Sequence, residues 1–169
     1  MKLSTKELTL CAMLTAMALG LSYLENLFPV LIPVPGVKLG LANIVTLFAL
    51  YALGGGQAML ILLGRCMLGA VLAGNMNAMI FSVLGGVTAM LVMILLSRSK
   101  KLSVYGVSIG GAAGHNCGQI AAAMITLGNT APLYYLPILL GVSLGTGAVT
   151  GLVCAGVFRT LNRTGLMKG

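Results

Sequence analysis

Residues 76–97 read MNAMIFSVLGGVTAMLVMILLS, an apolar run without a single charged side chain that stops at Arg98 and Lys100. A helix of that length covers the hydrocarbon core of a bilayer, which is ~30 Å thick and takes about 20 residues to cross. Working outward, further apolar stretches bounded by Gly, Pro, Asn or charge lie at 8–28, 38–54, 57–73, 103–128 and 133–158, six in all. The 169-residue chain is 59% apolar and 7% charged, with a mean hydropathy of +1.06, whereas a soluble domain is ~25% charged. Six spans leave too few residues for a soluble domain beside them. The sequence therefore predicts an all-α integral membrane protein, a six-helix bundle forming one transmembrane domain over residues 1–169.

The charges orient that bundle. A net charge of +8 would suit a nucleic-acid binder, but the positions argue against one. Lys2 and Lys6 precede the first run, Arg98, Lys100 and Lys101 separate two later ones, and Arg159, Arg163 and Lys168 follow the last. Six crossings place all three clusters and both termini in the cytoplasm, as the positive-inside rule requires, whereas five would send the last cluster outside. The signal-like start, Lys2 and Lys6 before an apolar run, is expected to remain as an uncleaved first helix. The short second and third spans, parted by Gly54–Gly56, also admit a re-entrant pair. Between spans one and two, Phe28–Lys38 carries Pro29, Pro33 and Pro35 and cannot be continuous helix. It reads as an external loop.

Several chemistries lack their parts. The two acids are Glu7 and Glu25, and there is no Asp, so neither a carboxylate pair for glycoside hydrolysis nor carboxylate-held magnesium for phosphoryl transfer is available. One histidine, His115, cannot build a His-rich zinc site. Cys11, Cys66, Cys117 and Cys154 are scattered without CxxC spacing and read as packing residues. No Walker A pattern is present. No metal or cofactor is expected.

Ionisable groups at membrane depth are functional candidates by default. Here they are Glu25, Lys38, Arg65 and His115. At ~1.5 Å per residue, Arg65 lies roughly 12 Å and His115 about 18 Å from the inner ends of their spans. Amides gather toward the same outer half: Asn26 beside Glu25, Asn43, Asn75, Asn77, Asn116 and Gln119. An outward-facing polar pocket follows. The i,i+4 pair His115 and Gln119, with Asn116 beside it, forms one polar patch that reads equally as a ligand contact or as an interhelical clamp. Lys38 and Arg65 outnumber the single membrane carboxylate, so an anionic ligand would supply the missing charge. The alternative is that Arg65 pairs with Glu25 while Lys38 extends to the headgroups.

On the first span Ala12, Ala16 and Gly20 repeat at i, i+4 and i+8 and form a smooth ridge for another helix, within the bundle or outside it. Ser22 and Asn26 point to a different side.

The segments ENLFPVLIPVPGVKLGLANIVTL (Glu25–Leu47), GRCMLGAVLAG (Gly64–Gly74) and GHNCGQIAAA (Gly114–Ala123) resemble the bacterial family labelled heptaprenyl diphosphate synthase component I, also called the Gx transporter family. The likeness runs over nearly the whole chain, and its first segment is the specific one. That family is similar in size and layout to the substrate-binding S components of energy-coupling-factor importers. The resemblance implies a multi-pass protein of the bacterial cytoplasmic membrane. It also implies an A-x-x-x-A motif, here Ala12 to Ala16, that docks on a transmembrane coupling subunit driven by two cytoplasmic ATPases. The synthase label conflicts with the residues, because prenyl elongation needs Asp-rich motifs to hold magnesium.

The expected function is thus non-enzymatic: capture of a small anionic or amphiphilic compound, such as a vitamin, isoprenoid or quinone precursor. Arg65 and Lys38 would neutralise it, and Glu25, Asn26, Asn43, His115 and Gln119 would orient it. The alternatives are an accessory membrane subunit of a quinone or prenyl biosynthetic or electron-transfer complex, and an intramembrane enzyme using His115 as acid or base.

Overall fold

The computed structural model describes residues 4–27, 40–99 and 101–164. The expected external loop at Phe28–Lys38 lies outside them. Among the described residues every element is helical: α1 (Thr5–Leu27), α2 (Leu41–Ala52), α3 (Gly55–Ala73), α4 (Met76–Ser97), α5 (Val104–Leu127), a 3-10 turn (Ala131–Tyr135) and α6 (Leu136–Arg163).

Local chemistry sets the helix ends. At the start of α1, Ser4 and Glu7 form a reciprocal capping box: the Ser4 N–H donates to Glu7 Oε2 at 2.8 Å and the Glu7 N–H to Ser4 Oγ at 3.3 Å. One of the chain's two acids is thereby committed to a helix terminus. Asn75 caps α4 by accepting the Ala78 N–H at 3.0 Å, and Ser103 caps α5. Gly74 and Gly128 end α3 and α5 in the left-handed conformation, with φ of 60° and 65°.

Among the described residues, four segments are long and apolar enough to cross a membrane: Thr5–Glu25, Gly55–Ala73, Met76–Ser97 and Ala131–Arg163. Two of the six expected spans differ from these. Among the described residues of the 38–54 stretch, the helix is the 12-residue α2, a length of ~18 Å, short of the hydrocarbon thickness. The 24 residues of α5 suffice in length, but glycines and the trio His115, Asn116 and Gln119 dilute their apolar character.

α5 lies between α4 and α6, α3 joins α4 to α1, and α2 packs among α1, α3 and α6. Glycine makes the two closest crossings possible. A Cβ on Gly118 would fall on Thr88 Oγ1 and Leu84 O of α4 and 2.8 Å from Gly85 Cα, and one on Gly147 of α6 would stand 2.6 Å from Ile109 Cα of α5. Opposite chain directions follow from paired contacts: Gly110 meets Leu96 while Gly118 meets Leu84, and Gly151 meets Tyr105 while Asn116 bonds Leu139. α1 and α3 run the same way, since Gly64 faces Thr15 and Gly69 faces Leu19. The start of α1, the α4–α5 turn and the end of α6 therefore share one end of the bundle, bringing Lys6, Arg98, Lys101, Arg159 and Arg163 together there.

The packed interior consists of small or medium side chains such as Ala18, Ala49, Ala58, Ile61, Leu62 and Met90, while Met13, Val71, Leu72, Leu95, Leu144 and Leu152 face outward. An apolar exterior around a glycine-rich interior suits lipid as the surrounding solvent. The apolar helices mark the protein as membrane-embedded, and its described residues are all-helical. Cys11, Cys66, Cys117 and Cys154 are free thiols, buried except for Cys117.

Candidate functional site

α2 begins inside the bundle. A Cβ on Gly40, which precedes its first residue, would lie 3.8 Å from Thr150 Oγ1, halfway along α6. Gly40 has φ 78°, a left-handed conformation that favours glycine. Its N–H donates to Glu25 Oε1 at 2.6 Å, so the second acid near the end of α1 holds the N-terminus of α2 in place. A carboxylate is favoured there because the helix dipole presents partial positive charge.

Three residues into α2, Asn43 comes level with Arg65 of α3. Both stand about 14 Å from the α2–α3 turn, at ~1.5 Å per residue. Arg65 Nη2 donates to Asn43 Oδ1 at 3.1 Å, and Nη1 makes a longer bond of 3.4 Å to Ser22 Oγ on α1. Arg65 Nε is buried with no partner among the described residues. The guanidinium thus has neutral oxygens as its hydrogen-bond partners, and the Glu25 carboxylate takes the Gly40 N–H instead.

These residues border a cavity of about 120 Å³. Ser22 and Glu25 come from α1, Gly40 and Asn43 from the start of α2, Arg65 and Cys66 from α3, Ser82 from α4, and His115 and Gln119 from α5. The lining runs up to Ala73 and Ala78 beside the α3–α4 turn, the end opposite the basic side chains. His115 and Gln119 lie against Gly85 of α4, where a Cβ would come within 3.0 Å of His115 Cε1 and Gln119 Cγ. The absence of a side chain at Gly85 seats both.

Of the expected site residues, Glu25, Asn43, Arg65, His115 and Gln119 share this cavity. Asn116 does not: its Nδ2 donates to the Leu139 carbonyl of α6 at 2.7 Å, so the polar patch of α5 divides into two cavity-facing side chains and one clamp. Asn75 is an exposed helix cap, and Asn77 is exposed and does not border the cavity. Lys38 and the side chain of Asn26 lie outside what is described. Ala12, Ala16 and Gly20 are exposed on the outer face of α1, and nothing comes within 4 Å of a Cβ placed on Gly20. Sequence reasoning missed Ser82, Cys66 and Gly85 and placed Ser22 only on a polar edge. The i,i+3 pairs Ser22 with Glu25 and Ser82 with Gly85 carried a signal for three of them.

The profile of the family described as heptaprenyl diphosphate synthase component I matches residues 14–157. The chain belongs to that family. The heptaprenyl diphosphate synthase component I match contains every residue that borders the cavity, as well as Ala16 and Gly20 of the ridge, while Ala12 falls just before it. Searches of curated proteins and of solved structures each return no match.

Proposed function

We propose that this member of the heptaprenyl diphosphate synthase component I family is the substrate-binding subunit of an energy-coupling-factor type importer in the bacterial cytoplasmic membrane. It crosses the membrane six times with both termini in the cytoplasm, and it captures a small anionic or amphiphilic compound from outside without transforming it. The gathering of Lys6, Arg98, Lys101, Arg159 and Arg163 at one end supports this orientation. The shortness of α2 fits a span that begins at the wall of a midplane cavity, as interrupted helices do in other transporters.

One observation carries the reading: among the described residues the Arg65 guanidinium, at mid-depth beside a cavity, has only neutral hydrogen-bond partners and a buried Nε with none. A cation in low dielectric is expensive without a counter-charge, and an incoming anion would provide it. Asn43 and Ser22 would fix the guanidinium, and His115 and Gln119 would complete the far wall. Lys38 and Asn26 join the site in this reading by their sequence positions.

For energy, the chain would rely on a transmembrane coupling subunit and two cytoplasmic ATPases. The outward ridge Ala12, Ala16 and Gly20 is the docking surface we assign, because small exposed residues at this spacing let a partner helix approach closely. Native mass spectrometry of gently extracted protein tests the whole reading. A small anion retained by the wild type should be absent from Arg65→Ala, and equal retention by a folded variant would refute it.

The family's description favours a second reading, an accessory membrane subunit of a quinone or prenyl biosynthetic or electron-transfer complex. In that case the same preparation would carry prenyl-transfer or redox enzymes in place of a coupling subunit.

A further inference from the structure

The cavity holds a second unfulfilled polar group. Gln119 is only 7% exposed, and among the described residues its buried Oε1 has no hydrogen-bond partner and none takes its amide N–H. Leaving a buried amide unsatisfied costs about 1–3 kcal/mol, a penalty that a residue serving only to pack would avoid by being apolar. Gln119 on α5 and Arg65 on α3 both border the cavity, and Gly85 leaves the space in which Gln119 sits. The lining therefore brings together a cation and an amide, donor and acceptor at once, that is unpartnered among the described residues.

Resting on the anion-receptor reading above, we infer that the cavity recognises a compact, hydrophilic organic anion. One end is an acidic group for Arg65, and the other carries an amide-like edge that both donates and accepts hydrogen bonds with Gln119. Size points the same way. About 120 Å³ is well below the ~300–1,000 Å³ of pockets that enclose drug-sized ligands, so a long prenyl chain or a fused-ring quinone does not fit within it. A buried hydrogen-bonding group discriminates strongly, because an analogue lacking the matching group leaves the site's own amide stranded.

Three probes, titrated into the purified full-length protein in lipid nanodiscs, test this: succinamate, pentanoate of similar length without the amide, and geranyl diphosphate with an apolar tail. Succinamate should bind about five- to tenfold tighter than pentanoate, the worth of one net hydrogen bond, and tighter than geranyl diphosphate. Gln119→Met should bring succinamate and pentanoate within about twofold of each other while both still depend on Arg65. Should that variant not fold, the wild-type preference decides alone. Equal or reversed preference between succinamate and pentanoate, tighter binding of geranyl diphosphate, or a preference that survives Gln119→Met overturns this inference and leaves the anion receptor standing. Binding of none of the three, or binding indifferent to Arg65→Gln, overturns the receptor reading and this inference with it.

Discussion

Arg65 Nη2 and Asn43 Oδ1 meet at 3.1 Å, joining α3 to the first turn of α2 across 22 residues of sequence. The bond orients the guanidinium without neutralising it, and a single atom of Asn43 decides between those two outcomes. Asn43→Asp should convert the contact into an ion pair. We expect that variant to unfold no lower than the wild type, because the half-buried cation gains a carboxylate, while its affinity for anions falls at least about tenfold. Asn43→Leu should lose anion binding for the opposite reason, leaving the guanidinium without its shorter hydrogen bond, and should destabilise the fold by about 1–3 kcal/mol. Thermal unfolding in detergent, read beside anion titration, separates the two.

Gly118 and Gly145 make a paired test of how the bundle closes. A Cβ on Gly118 would fall on backbone atoms of α4, which have little room to yield, whereas one on Gly145 meets nothing within 4 Å. Gly118→Ala should cost stability toward the upper end of the ~1–3 kcal/mol typical of overpacking. Gly145→Ala should be neutral or stabilise by up to about 1 kcal/mol through helix propensity. Equal unfolding temperatures for the two variants would contradict the close α4–α5 crossing.

Asn116 and Gln119 stand three residues apart on α5 and should respond differently to truncation. Asn116→Ala removes the donor to the Leu139 carbonyl, and it should lower stability by roughly 1–2 kcal/mol with anion affinity unchanged. A loss of affinity at Asn116 matching that at Arg65 would mean that the polar patch acts as one unit.

Ser108 is 4% exposed, and its Oγ is buried with no hydrogen-bond partner among the described residues. Replacing an unsatisfied buried hydroxyl by hydrogen removes a desolvation penalty. Ser108→Ala should therefore unfold at the same temperature as the wild type or higher. A clear destabilisation would show that the hydroxyl has a bound partner such as an ordered water.

Ala12→Leu and Ala16→Leu alter side chains that already face outward, so folding and anion affinity should be preserved. Co-purification of a coupling subunit should fail, because added bulk holds off the partner helix. Normal recovery of that subunit with either variant would remove the ridge from the docking surface.

Much of this was legible along the chain because hydropathy and charge are local properties. The uncharged run 76–97 is a helix over Met76–Ser97, and the 57–73 run falls within Gly55–Ala73. The basic clusters could be located by counting crossings. The short α2 was harder to read, since Leu41–Ala52 sits in a longer apolar stretch and its starting depth depends on Glu25 and Thr150, far away in sequence.

Composition and hydropathy alone are enough to read a helical membrane bundle, to locate its cations along the chain, and to show that two acids cannot balance them. Only the tertiary structure decided which polar side chains share a cavity. His115, Asn116 and Gln119 are near neighbours on one helix, and the packing of α4 on one side and α6 on the other sends Asn116 to a carbonyl and the other two to the cavity. Arg65 likewise takes its partners from positions 22 and 43 residues away. Composition fixes how many such groups the membrane must accommodate, but the facing of one helix toward another is set by close contacts between glycines and backbone, which no local pattern encodes.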